Sequence, residues 1–125
     1  MKSDGAPERR RPLIGVVGPC GAGKSTLIAN LERDGFACRH IAQEHSYVKD
    51  MWKRITNPDV LIFLQASFET CTRRRSLNWN RGDYDEEQTR LSHAHSHADL
   101  LIDTDHLSPE QVCGRALQFL GRIAG

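Results

Sequence analysis

The sequence lacks most of what would mark a secreted, membrane-bound or metal-stapled protein. Its four cysteines, Cys20, Cys38, Cys71 and Cys113, stand far apart, with no C-x-x-C pair and no metal-type spacing. That excludes a disulfide frame and reads as isolated, reduced thiols in a cytoplasmic protein. No apolar run approaches membrane-spanning length, and the first eleven residues hold no apolar stretch for a signal peptide, so residues 1–11 are expected to form a flexible polar tail. Charge of one sign is also missing: 17 Lys and Arg stand against 16 Asp and Glu. A chain so balanced has no global field to draw nucleic acid or anionic lipid, and its short basic clusters lack interleaved aromatics, so neither is expected as a partner. Internal repeats and low-complexity tracts are absent as well. What is present is 125 residues, 38% of them hydrophobic, enough for one core and about one domain.

Short apolar runs alternate with helical patterns. Residues 13–17 (Leu-Ile-Gly-Val-Val) and 60–64 (Val-Leu-Ile-Phe-Leu) read as central strands covered on both faces. Residues 36–41 form a weaker strand, interrupted by Arg39 and His40 and therefore expected at an edge, and residues 100–102 form a short further strand. Helices are expected over 24–33, closed by Gly35, over 47–55, from Ser67 as N-cap through Arg75, over 85–98, and from Ser108 onward with Pro109 at the first position and Gln111 at the capping-box position. Val112, Ala116, Phe119, Leu120 and Ile123 are the expected buried face of that last helix. Residues 78–84, around Gly82, read as a polar loop, and Trp52 and Trp79 fit either a core or a lid. The alternation implies an α/β fold: an open, mainly parallel sheet of about four strands with helices on both faces.

Between the first strand and the first helix lies Gly18-Pro-Cys-Gly-Ala-Gly-Lys24-Ser25-Thr26, which satisfies G-x-x-x-x-G-K-[ST] in the context the motif requires. Gly18, Gly21 and Gly23 let successive N–H groups turn inward, and with Cys20, Ala22 and the start of the helix they make a ready polyphosphate cradle. Lys24 supplies a point charge to the β and γ phosphates and Ser25 offers a hydroxyl to Mg²⁺. Cys20 is either a small loop-filling residue or, near a helix N-terminus and Lys24, a thiol of lowered pKa. Phosphoryl transfer also needs a carboxylate behind the metal, on the rim formed by the strands' carboxyl ends. Asp59 precedes its strand and lies at the wrong end, and the right end carries Gln65. Gln43-Glu44-His45-Ser46 sits on the correct rim, so Glu44 is the candidate for Mg²⁺ or a proton and His45 for a proton or the acceptor. Asp103 and Asp105 fall on the same rim at the far edge. The arginines 73–75, with Arg81 and Arg90, are candidates to clamp transferring phosphates, Arg74 and Arg75 foremost. His93, His95 and His97 invite a metal reading, but on a helix only His93 and His97 share a face and no third ligand is visible.

These residues carry a resemblance. The loop 18–26, the stretch Pro58-Asp-Val-Leu-Ile-Phe-Leu-Gln-Ala-Ser67 leading into arginines, and Ala98-Asp-Leu-Leu-Ile-Asp-Thr104 followed by Leu107-Ser-Pro-Glu-Gln-Val112 are similar, in order, to the small P-loop kinases of the nucleoside monophosphate kinase superfamily, such as adenylate, shikimate, gluconate and adenylylsulfate kinases. The resemblance implies one P-loop NTPase domain over residues 12–125 that binds ATP with Mg²⁺, a lid near Arg73–Arg75 and Arg81, and a loop at Asp103-Thr104 bordering the adenine. Such kinases usually have five central strands, an acceptor-binding insertion after the second and an acid after the third. Here residues 41–59 are too few for both insertion and strand. Two expectations follow: a minimal kinase acting on a small-molecule acceptor, or a nucleotide-binding regulatory or assembly module with little transfer. A homodimer that completes the pocket is compatible with either.

Overall fold

The computed structural model describes residues 12–76 and 78–124; the tail expected over 1–11 lies outside them. The two uninterrupted apolar runs, β1 (Leu13–Val17) and β3 (Val60–Gln65), form the centre of a four-stranded, all-parallel sheet, and the broken runs β2 (Ala37–His40) and β4 (Leu100–Asp103) flank them in the order β2-β1-β3-β4. Only Cys38 in β2 and Ile102 in β4 are buried, as edge positions demand, whereas nearly every residue of β1 and β3 is covered. The open parallel α/β sheet expected from the alternation is thus present, with its four strands.

Strand side chains point alternately to two cores. Ile14, Val16, Val60, Ile62, Leu64 and Ile102 pack on one face against Leu27 and Leu31 of α1 (Lys24–Arg33) and Val112, Ala116 and Leu120 of α4 (Pro109–Ala124). On the other face Val17, Leu61 and Phe63 pack with Trp52 and with Leu91 and Ala94 of α3 (Arg81–His97). Each fully buried Leu, Ile or Phe contributes about 1.5–3 kcal/mol, so burial on both faces explains why this pair of runs leads the fold. At the amino end of the sheet Leu13 N donates to Asp59 Oδ2 at 2.7 Å, which gives Asp59 a structural duty far from the opposite rim.

The helix ends follow their capping residues. α1 stops in a Schellman arrangement, with Gly35 N bonded to Glu32 O and Phe36 N to Leu31 O. Ser67 caps α2 (Phe68–Arg75) through Thr70 N, and Ser108 and Gln111 satisfy each other's backbone N–H groups at the start of α4. Among the described residues no helix is long and apolar enough to cross a membrane.

Three expectations need correction. Residues 78–84 are not a loop around Gly82: α3 begins at Arg81, because Asn80 and Asp83 form a reciprocal capping box. The helix expected over 47–55 shrinks to a π turn, Trp52–Thr56, closed by Asn57 in the left-handed region. Of its apolar set only Trp52 is deeply buried, while Tyr47, Val48 and Ile55 are exposed. The Gln43 amide intervenes there, donating to Val48 O and accepting from Trp52 N, and the remaining local bonds, such as Met51 N to Val48 O and Lys53 N to Asp50 O, make turns in place of a continuous helix. Ile123, assigned to the buried face of α4, is half-exposed. The sixteen residues of α4 span ~24 Å, and the adjoining β4, with four residues, spans only ~13 Å, so the last turn outruns its support. Both tryptophans are structural: Trp52 Nε1 donates to His93 Nδ1, and Trp79 Nε1 donates to Thr72 while its ring stacks on Phe68.

Candidate functional site

Because all four strands run the same way, the segments that follow them share one rim. The glycine-rich loop leaves β1 there and enters α1 with Gly18, Gly21 and Gly23 all at positive φ. Gly21, at φ 87°, also lies against the start of α2, where a Cβ would meet Cys71 O at 2.8 Å, so geometry and space both require glycine. No side chain caps α1 and no acid occupies its first turn, which leaves its N–H groups and the positive end of its dipole for an external anion.

Lys24, the first residue of α1, is buried. Its Nζ donates to Gly18 O at 2.5 Å and Pro19 O at 3.3 Å and pairs with Glu44 Oε2 at 2.8 Å. Glu44 rides on a 3₁₀ turn, Gln43–His45, directly after β2. That turn is held from behind: the fully buried Gln43 amide bridges Val48, Trp52 and Arg90, and Arg90 Nη1 donates to Glu44 O while its guanidinium lies over the Tyr47 ring. Arg90 therefore positions the acidic turn and does not reach the loop. Lys24, Ser25, Glu44, His45 and Arg75 all line one cavity of about 420 Å³.

Arg74 has a bridging position. Its two terminal nitrogens donate to Thr104 Oγ1 at 2.9 Å and Thr104 O at 2.6 Å, and Nη1 also reaches Gly21 O and Ala22 O. This ties the glycine-rich loop to the segment after β4. Beneath that bridge is a second, more apolar cavity of about 190 Å³, lined by Leu27, Arg74, Thr104, Leu107, Pro109 and Val112, with Ala22, Gly23 and Thr26 on the loop side. The fold thus brings together Gly18, Cys20, Gly21, Ala22, Gly23, Lys24, Ser25, Thr26, Glu44, His45, Arg74, Arg75 and Thr104.

It leaves others aside. Asp103 lines a separate cleft with Gln65, Tyr84 and Asp105, away from Thr104's cavity. Arg81 lies over Phe68 and Tyr84 and pairs with Asp85. His93 and His97 do share a face, their rings stacked with centroids 4.2 Å apart, but His93 Nδ1 accepts from Trp52 and His95 turns to Phe63.

No family model matches the chain, and a search of the curated proteins gives no match. The functional reading therefore rests on geometry.

Two residues of the site were not legible at the sequence level. Gln43 is one; Glu87 is the other, and its Oε1 accepts from Cys20 N at 3.0 Å. The signal for Glu87 was positional: it falls on the buried stripe Tyr84, Glu87, Leu91 and Ala94 of a helix that is otherwise polar all round. Glu87 also bears on the chemistry of Cys20. Burial, then the hydrogen bond and charge of Glu87, then the charge of Glu44 push the thiol up to about 11, against an opposing pull from Lys24. These surroundings raise the thiol instead of lowering it, which favours the loop-filling reading of the metal-free Cys20 over a thiol of lowered pKa. Since the thiolate is the nucleophile, Cys20 is expected to react slowly with a chromogenic disulfide at pH 8. Its rate should climb about tenfold per pH unit until the pH nears the thiol's own pKa. A fast thiol at pH 8, lost in Cys20→Ser, would contradict this.

Proposed function

We propose that the chain is an ATP-binding P-loop protein of kinase type that transfers the γ-phosphoryl group to a small-molecule acceptor. The observation that carries it is the pairing of two cavities across one loop: a polar one around a buried lysine, and an apolar one reached under Arg74. In this reading the loop amides and Lys24 hold the β and γ phosphates, Arg74 and Arg75 add guanidinium charge, and the apolar cavity takes the base beside Thr104. Asp103, expected beside Thr104, lines the other cleft and takes no part in this reading. The donors fit Mg²⁺: Ser25 is exposed on the polar cavity, and Glu44 keeps one oxygen, Oε1, without a hydrogen-bond partner among the described residues. Bound there, the ion would neutralise charge on the phosphates. In this reading the metal-free His45, its side chain 59% exposed and lining the same cavity, would meet an acceptor hydroxyl.

A second reading is favoured by what lies between β2 and β3. Residues 41–59 hold only the 3₁₀ turn and the π turn, so no strand and no acceptor-binding helix is present there, and β3 ends in Gln65. That pattern fits a module that binds nucleotide without turnover.

Calorimetry with ATP and Mg²⁺, followed by product analysis across nucleotide, sugar and hydroxy-acid acceptors, tests both. Saturable binding with a phosphorylated product supports the kinase, and binding without product supports the module. No uptake of ATP or GTP by folded protein overturns the nucleotide reading, and a Lys24→Ala variant is the binding control.

A further inference from the structure

Three side chains from separate parts of the chain converge beside the glycine-rich loop: Cys20 from the loop, His45 from the turn after β2, and Glu87 from the second turn of α3. One ligand-type atom of each lies within 4.8 Å of the other two. Cys20 Sγ stands 3.5 Å from His45 Nε2. A tetrahedral ion with a metal–sulfur bond of about 2.3 Å and a metal–nitrogen bond of about 2.0–2.1 Å holds such a pair about 3.6 Å apart, so the observed separation is already that of two corners of one coordination shell.

Each arm is fixed by its own surroundings. Glu87 sits on the buried stripe of α3 and accepts the Cys20 amide, which sets the thiol's place in the loop. His45 follows from the turn that Gln43 and Arg90 anchor. Glu44 borders the same spot. Its Oε2 lies 3.7 Å from His45 Nε2 and 4.0 Å from Cys20 Sγ. Its Oε1 is buried, on a residue only 3% exposed, and accepts no hydrogen bond from any described residue. That oxygen is the one assigned above to Mg²⁺, so Glu44 borders this group without being one of its ligands. Charge agrees: Lys24 offsets Glu44, which leaves a thiolate and the Glu87 carboxylate to balance a dication.

We propose that Cys20, His45 and Glu87 form a binding site for one divalent cation of the zinc class, its remaining position open to the cavity lined by Lys24, Ser25 and Glu44. Thiolate and imidazole select this class over Mg²⁺ and Ca²⁺, which take oxygen ligands. On binding, three metal–ligand bonds form, from the Cys20 sulfur, the His45 imidazole and the Glu87 carboxylate, and the thiol proton passes to solvent. No oxidation change is involved. The site does not depend on nucleotide binding. Sequence spacing hid it, because its ligands stand at 20, 45 and 87 and no two are close enough to make a motif.

The test uses the full chain, stripped with a chelator and titrated with Co²⁺ without nucleotide and with Mg²⁺ in large excess. One equivalent is expected to bind, with a thiolate-to-cobalt charge-transfer band that Zn²⁺ abolishes by competition. Cys20→Ser should remove the band and Cys113→Ser should keep it. His45→Ala, at an exposed side chain that leaves the far-ultraviolet circular dichroism unchanged, should weaken Zn²⁺ binding by at least about tenfold. Absence of stoichiometric uptake, absence of the band, or a band that survives Cys20→Ser overturns the proposal. If Cys20→Ser does not fold, the His45→Ala titration decides, and an unchanged affinity there overturns it equally.

Discussion

Lys24→Met should lower folding stability by about 3–5 kcal/mol, well beyond the effect of an ordinary helix substitution. The cause is Glu44. The residue is 3% exposed and its close charged partner is Lys24 Nζ, at 2.8 Å; methionine leaves a buried charge with only the exposed His45 imidazole, 3.7 Å away, to offset its lost hydration. Removing both charges should be far milder, because two apolar side chains in that volume carry no desolvation cost. The double variant Lys24→Met/Glu44→Leu is therefore expected to regain most of the lost stability in urea unfolding, with the cycle reporting a coupling of several kcal/mol. Additive single effects would show that the pair is not coupled in solution. The double variant also separates two roles of the lysine, since it should be folded yet fail to take up ATP.

Gly18→Ala is the second large effect expected, about 3 kcal/mol of stability. A Cβ at Gly18 would stand 2.4 Å from Leu64 O and 3.3 Å from Leu64 C. Both are backbone atoms of β3, which cannot rotate away as a side-chain tip would. Relief has to come from the loop moving off β3, which displaces the amides beyond it, so loss of ATP uptake should accompany the stability loss. Gly114→Ala is the contrast. It lies inside α4 with nothing within 4 Å of its added Cβ, and it should stabilise by about 0.5–1 kcal/mol through helix preference. Equal thermal shifts for the two variants would contradict the packing argument.

The parts of this fold that were legible are those decided locally. Residues 13–17 and 60–64 are apolar throughout, so their central places followed from composition, and Ser67, Ser108 with Gln111, and Gly35 marked helix ends through bonds to nearby residues. The same holds for the cradle, a contiguous motif. What escaped was decided at a distance. The segment 47–55 has helical spacing, but the distant Gln43 amide takes up its Val48 carbonyl and Trp52 N–H, and of its apolar residues only Trp52 is deeply buried. Glu87 was one acid among several on a polar helix, and only the packing of α3 against the sheet brings it to the Cys20 amide, 67 residues away. Glu44 was legible as a rim acid, but its engagement with Lys24 was not, because a sequence shows which charges exist and not which ones the solvent has abandoned.

The Arg74 guanidinium is a wall common to two chambers, one polar and one apolar. A guest that draws this group toward itself in either chamber reshapes the neighbouring one, and thermodynamic reciprocity then obliges the two occupants to change each other's affinity by the same factor. The head and the tail of a single bound molecule would thus be weighed together, so that the affinities of fragments carrying only one of them do not simply combine into that of the whole.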